Sequence, residues 1–322
     1  MKKRMPILTL ALPLLCCLSC ELFSLDAYAP QNENILVSHK LGTELASGSA
    51  SLESVNAIRE LPASDGGRLA FVVYTTSDKD LHLAIYNAAS LSLKKTIDLP
   101  SKDYSPIGRD ALGNYLVGSL RLDSSLATTS TASPAAWADV VFIDPSTRTN
   151  LLVSVNGTSI AWQSYDSTWT IMTPSVKATS PIDDSSLSYE YRDALTEATG
   201  DGSRRLLLYR GKDSSLVEFI LPGASALPAA LVAGKSLADV CDLATVTGAS
   251  GTSFLTEAGI IGVNYSKGMS LYLYQLSDGT FLSSKRVDSD FTQALSFNAS
   301  GKEWYYFDTR TQILYELAAW WN

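Results

Sequence analysis

The chain has 322 residues, 46 per cent of them apolar and 18 per cent charged, with 33 acidic against 25 basic side chains for a net charge of −8. That composition supplies a core for one large domain or two ordinary ones and excludes disorder as the main state. Outside the first four residues the densest basic groups are the pairs Lys94-Lys95 and Arg204-Arg205. So acidic a surface repels phosphate backbones, and nucleic acid is excluded as an expected partner.

The amino terminus reads as an export signal. Lys2, Lys3 and Arg4 form a short cationic segment, and MPILTLALPLLCCLS follows as an apolar run too short to span a bilayer comfortably. Three of the four cysteines fall at its end, in LCCLSCELF. Leu18-Ser19-Cys20, a small residue just before a cysteine at the end of the apolar run, resembles the lipobox of bacterial lipoproteins. Cys17 stands where that family prefers leucine. The resemblance implies cleavage before Cys20, acylation of its thiol and amino group, and attachment to a membrane of the cell envelope facing the periplasm or exterior. Two acyl chains suffice for durable anchoring. Residues 1–19 are then a leader, 20–34 a lipidated tether and 35–322 the folded domain. Loss of the three basic leader residues leaves 22 basic against 33 acidic side chains, a net charge of −11. The alternative for the same residues is an ordinary secretory signal or an uncleaved anchor. Cys241, in the apolar-leaning run LADVCDLA, reads as a core residue.

Beyond the tether the sequence alternates short apolar strands with turn residues, and no convincing helical period appears. LHLAIYNAASLSLKKTIDLP (81–100), ADVVFIDPSTRTNLLVSVNG (138–157), RLLLYRGKDSSLVEFILPG (205–223) and SLYLYQLSDGTFLSSKRVD (270–288) each pair two strands across an Asn-, Asp- or Gly-containing turn. Tighter hairpins precede them at 55–74, 105–119, 159–173 and 294–309. The unit is four antiparallel strands recurring every 45–65 residues or so, which predicts an all-β chain, a single β-propeller.

Phe297-Asn-Ala-Ser-Gly301 before Trp304-Tyr-Tyr-Phe-Asp308, and Val141-Phe-Ile-Asp144, resemble the turn grammar of bacterial propeller repeats of the YVTN and WD40-like type. Neither a Trp-Asp dipeptide nor an intact YVTN box is present. Units at 55–98, 105–155, 159–221, 240–287 and 292–317 give five four-stranded blades, the last completed by the spare strand ILVSHKL at 35–41. Six blades is the alternative, and two stacked β-sandwiches a further one.

Long insertions at 120–137, 174–203 and 222–239 project from one face in this parsing, where binding residues usually gather. They and a shorter connection supply a candidate binding face of Tyr104, Arg121, Trp137, Asp183, Asp184, Tyr189, Tyr191 and Arg192. Aromatics interleaved with charges suit a sugar ring or anchor a protein partner. No catalytic residues, metal ligands or cofactor are expected. His39 and His82 lie in alternating strands away from any nucleophile motif, and Ala233-Gly-Lys-Ser236 lacks the glycine that a phosphate loop needs. The expected function is a membrane-attached, non-catalytic binding or scaffolding module for a protein partner. The alternative is a propeller enzyme, lactonase-like or glycan-cleaving, with its site at the channel mouth.

Overall fold

A computed structural model describes residues 35–46, 49–100, 103–129, 134–144, 147–156, 159–172, 178–181, 191–198, 204–210, 215–221, 230–236, 252–255, 260–265, 270–275, 280–286, 292–297 and 302–318. Cys20, Asp183, Asp184, Tyr189 and Cys241 lie outside them. Among the described residues no helix is long and apolar enough to cross a membrane. The described residues are nearly all β, in six antiparallel sheets.

Strand β1 (Ile35–Lys40) stands apart from its sequence neighbours. The first sheet is β2 (Leu52–Pro62), β3 (Arg68–Thr76), β4 (Leu81–Asn87) and β5 (Leu93–Asp98). The second has three short strands, β6 (Ile107–Arg109), β7 (Tyr115–Val117) and β8 (Leu120–Leu122). The third is β9 (Val140–Asp144), β10 (Thr149–Asn156), β11 (Ser159–Tyr165) and β12 (Ala178–Pro181). The fourth is β13 (Tyr191–Ala198), β14 (Arg204–Arg210), β15 (Ser215–Leu221) and β16 (Ala230–Ser236). The fifth is β17 (Thr252–Leu255), β18 (Ile260–Tyr265), β19 (Ser270–Gln275) and β20 (Phe281–Arg286). The last joins β21 (Thr292–Phe297), β22 (Glu303–Asp308) and β23 (Ile313–Ala318) to β1, which pairs antiparallel with β23 from Ile35↔Leu317 to Lys40↔Ile313.

Five expected units thus become six sheets, with a changed phase. The stretch 105–155 divides between the second and third sheets, and 120–137 holds β8 and a 3-10 turn (Pro134–Trp137) rather than a loop. Likewise 174–203 contains β12 and β13, and 222–239 contains β16. The physical reason is that every inner strand pairs on both sides. Hairpin signals therefore locate strands without saying which strand begins a sheet. The fourth strand of the second sheet is reduced to one bridge, Leu122↔Thr128, beside a Thr129 N–H to Arg121 carbonyl bond of 2.9 Å.

The first strands of neighbouring sheets lie against one another, β21 to β2, β2 to β6 and β6 to β9, then β13 to β17 and β17 to β21. Side chains alternate across each strand, so β3 serves two cores at once. Ala70, Val72 and Tyr74 join Tyr305, Phe307 and Leu314 of the last sheet. Leu69, Phe71 and Val73 join Tyr115, Val117 and Leu122 of the second. Leu116 then packs on Leu152, Tyr165 and Trp137 of the third-sheet region. Each fully buried large side chain contributes about 1.5–3 kcal/mol relative to exposure. That explains why β3 and β4 are apolar on both faces.

The hairpins share one turn. In Asp110–Asn114, Asp123–Ala127 and Asp166–Thr170 the Asp carboxylate accepts the N–H groups two and four residues on, at 2.8–2.9 Å. The fourth residue adopts positive φ: Gly113 at 85°, Leu126 at 67° and Trp169 at 68°. Leucine and tryptophan rarely adopt this region, and here packing holds them there, Leu126 in the core and Trp169 against Tyr165 at 5.5 Å.

Candidate functional site

In a four-stranded meander the sheet-to-sheet connections and the second-to-third turns leave one end, and the remaining turns leave the other. Residues 99–106, 130–139, 182–190 and 237–251 are among the sheet-to-sheet connections. Tyr104 and Trp137 fall on two of these, while Tyr191 and Arg192 begin β13, where Tyr191 pairs with Arg210 ahead of a bulge. Asp183, Asp184 and Tyr189 belong to the connection outside the described residues.

The described members of this set are anchored from beneath. Tyr104 is half-buried against the core between the first and second sheets, and burial followed by the Asp103 charge raises its phenol pKa. Its backbone crosses Gly118, φ +55°, whose place any larger residue would contest with the Asp103 carbonyl. Trp137 packs on the Leu116–Leu152 core. Arg121 does not reach a loop. Held on β8, its Nη2 and Nε lie 2.7 and 2.9 Å from Oδ2 of Asp110, whose side chain is wholly buried. The guanidinium thereby ties the β6–β7 turn to β8, and its charge is balanced inside the protein.

Three further polar groups escaped the sequence analysis. His82 places Nδ1 2.8 Å from Asp98 Oδ1 and Nε2 2.9 Å from the Thr76 hydroxyl. The order acid, imidazole, hydroxyl is that of a base-activated nucleophile. Thr76, however, is fully buried and donates its hydroxyl hydrogen to Asp78 at 2.5 Å, so the row pins the β3–β4 turn and has no approach for a substrate. Alternation hides this group, since His82 and Thr76 merely read as strand positions.

Second, Glu60, Glu303 and Glu316 bring carboxylate oxygens within 4.8 Å of one another between the last and first sheets. Arg68 enters the group as a cation, bonding Glu60 at 2.9 Å and Glu303 at 2.7 Å. The signal was a glutamate at an inward position of an alternating strand: Glu60 faces in with Ile58, and Glu316 with Leu314. Third, a cleft of about 410 Å³ lies between the first and second sheets, rimmed by Asp65, Arg68 and Lys94 over Leu69 and Tyr115. It opens at the short-turn end, opposite the long connections.

No known family model matches the chain, and no curated protein matches it. Among solved structures it is similar to the hydrazine synthase of Kuenenia stuttgartiensis, at 10% identity and a TM-score of 0.48 over 84% of each chain. It is also similar to the Cps50 (Swd1) β-propeller domain of Myceliophteria thermophila, at 9% identity and a TM-score of 0.45 over 85% of each chain.

Proposed function

We propose that the chain is an exported lipoprotein, anchored through acylated Cys20, whose sheets form one β-propeller of six blades with β1 completing the last. Its role is to display a non-catalytic binding surface to a protein partner in the cell envelope. The contact surface is the end bearing the sheet-to-sheet connections, to which Tyr104 and Trp137 contribute from two of them, Asp183, Asp184 and Tyr189 from the 182–190 connection, and Tyr191 and Arg192 from the start of β13. Arg121 instead ties β8, through Asp110, to a turn at the opposite end.

The observation that carries this reading is the inequality of the two ends. Connections of ten residues (130–139), nine (182–190) and 15 (237–251) leave one end, whereas five-residue turns such as 110–114, 123–127 and 166–170 close the other. Long segments on a rigid base are where recognition resides. The anchor rests on Leu18-Ser19-Cys20, and β1 suits a tether because it is an edge strand of its sheet.

Two measurements test the proposal. Mass spectrometry of the mature chain finds residue 20 first and acylated, and Cys20→Ala moves the protein out of the membrane fraction. Cross-linked pull-downs from membranes lose their specific protein when 182–190 is replaced by a Gly-Ser linker of equal length. Unchanged partners would remove the connection end from consideration.

A further inference from the structure

The seam where the last sheet meets the first carries acids at positions that the strand pattern reserves for apolar side chains. Glu60 on β2 and Glu316 on β23 are buried, at 9 and 3 per cent exposure. Tyr305 of β22 stands between them, fully buried, with its hydroxyl oxygen 2.5 Å from Oε2 of Glu60 and 3.2 Å from Oε1 of Glu316. Arg68 of β3 approaches from the other side, donating from Nη1 to Glu60 and from Nη2 to Glu303.

Counting hydrogens constrains this arrangement. A phenol has a single hydrogen and can donate it once, yet Tyr305 touches two carboxyl groups. Glu60 is the acceptor, because its contact is the shorter and Arg68 stabilises its anionic form. The contact with Glu316 then needs a hydrogen from the Glu316 side, since two bare oxygens in a buried site repel. We propose that Glu316 is held as a neutral carboxylic acid donating to Tyr305, and that its ionisation loosens the seam between the last and first sheets, making this junction a pH-sensitive latch.

The groups acting on Glu316 are Glu303 and Tyr305 from β22, Glu60 from β2 and Arg68 from β3. Arg68 is the one cation among them, and it already bonds both other carboxylates. Burial first, and then the Glu303 charge, push Glu316 up to about 7, while burial also raises Glu60. The sign follows from linkage. Below the ordinary value of 4.5 Glu316 is protonated whether the seam is closed or open. From there to about 7 the open form ionises and the closed form does not, so closure weakens steadily; above that value the loss is constant. A carboxylate stabilised by a salt bridge would behave in the opposite way.

The test uses the full-length chain in detergent micelles, comparing wild type with Glu316→Gln, whose amide donates to Tyr305 as the neutral acid does. Hydrogen-exchange protection factors of the β1, β2 and β23 amides fall at least about tenfold in wild type between about pH 5 and about pH 7.5, one pKa unit corresponding to a factor of ten. In Glu316→Gln the fall is much smaller, the remainder belonging to Glu60, whose pKa burial also raises. Parallel profiles in the two proteins would overturn the latch. Infrared difference spectra of wild type provide a second readout that does not depend on the variant folding. A protonated-carboxyl stretch that disappears with a midpoint near neutrality supports the assignment, and its absence at about pH 5.5 sinks it.

Discussion

Removing the Asp110 carboxylate leaves the Arg121 guanidinium on β8 without its counter-charge, in a place where side chains are 0 and 10 per cent exposed. Breaking one partner out of a buried pair costs about 3–5 kcal/mol, more than the turn's own hydrogen bonds contribute. Asp110→Ala is therefore expected to lower the urea midpoint sharply, and Asp110→Ala with Arg121→Leu to recover a substantial part of it. A double variant as unstable as the single one would mean that the turn bonds to Leu112 and Asn114 dominate. The same pair shows what a lone sequence conceals. Arg121 reads as a surface charge because its partner lies eleven residues upstream in a turn, and burial of both is a property of sheet packing. Tyr104 and Trp137, by contrast, are placed by their connections, which the sequence marks through length alone.

At the scale of elements, strands were legible and their grouping was not. Alternation and Asp, Asn and Gly turns locate β3, β4, β14, β15, β19 and β20 closely, because those signals act over a few residues. Phase is a long-range property. The three-residue strands of the second sheet, Ile107–Arg109 and Tyr115–Val117, carry too little pattern to announce a sheet of their own. What holds them is close approach: a Cβ on Gly108 would lie 2.5 Å from Cγ1 of Val141 in the third sheet. Gly108→Ala should thus force β6 away from β9 and destabilise by about 1–3 kcal/mol, the usual range for overpacking. Adding Val141→Ala makes room and should restore most of the loss in thermal unfolding. Equal damage in both variants would place the cost in the backbone instead.

For the whole molecule the decisive pairing is β1 with β23. Val37 packs on the core that the first and last sheets share, and His39 lies 2.7 Å from Glu44 and 5.8 Å from the Tyr86 ring. Deleting residues 35–40 uncovers the β23 edge, and bare edges pair with other chains. Size-exclusion chromatography should show the shortened protein as dimers or larger species at concentrations where the full chain is monomeric. Persistence of a monomer of unchanged melting temperature would show that β23 tolerates exposure. ILVSHKL could be read as a spare strand from its composition, whereas the acids beneath the same seam could not, because their proton is fixed only once three strands converge.

The register Lys40↔Ile313 joins residues about 270 positions apart. During synthesis or export the strand that appears first must wait for the one that appears last, so the final sheet forms by the slowest kind of loop closure. Until then β23 has no outer neighbour, and β1 has no partner to shield it. In the interval between emergence of β1 and of β23 these two edges are open to aggregation and proteolysis, and a chaperone that masks β1 would protect the unfinished sheet.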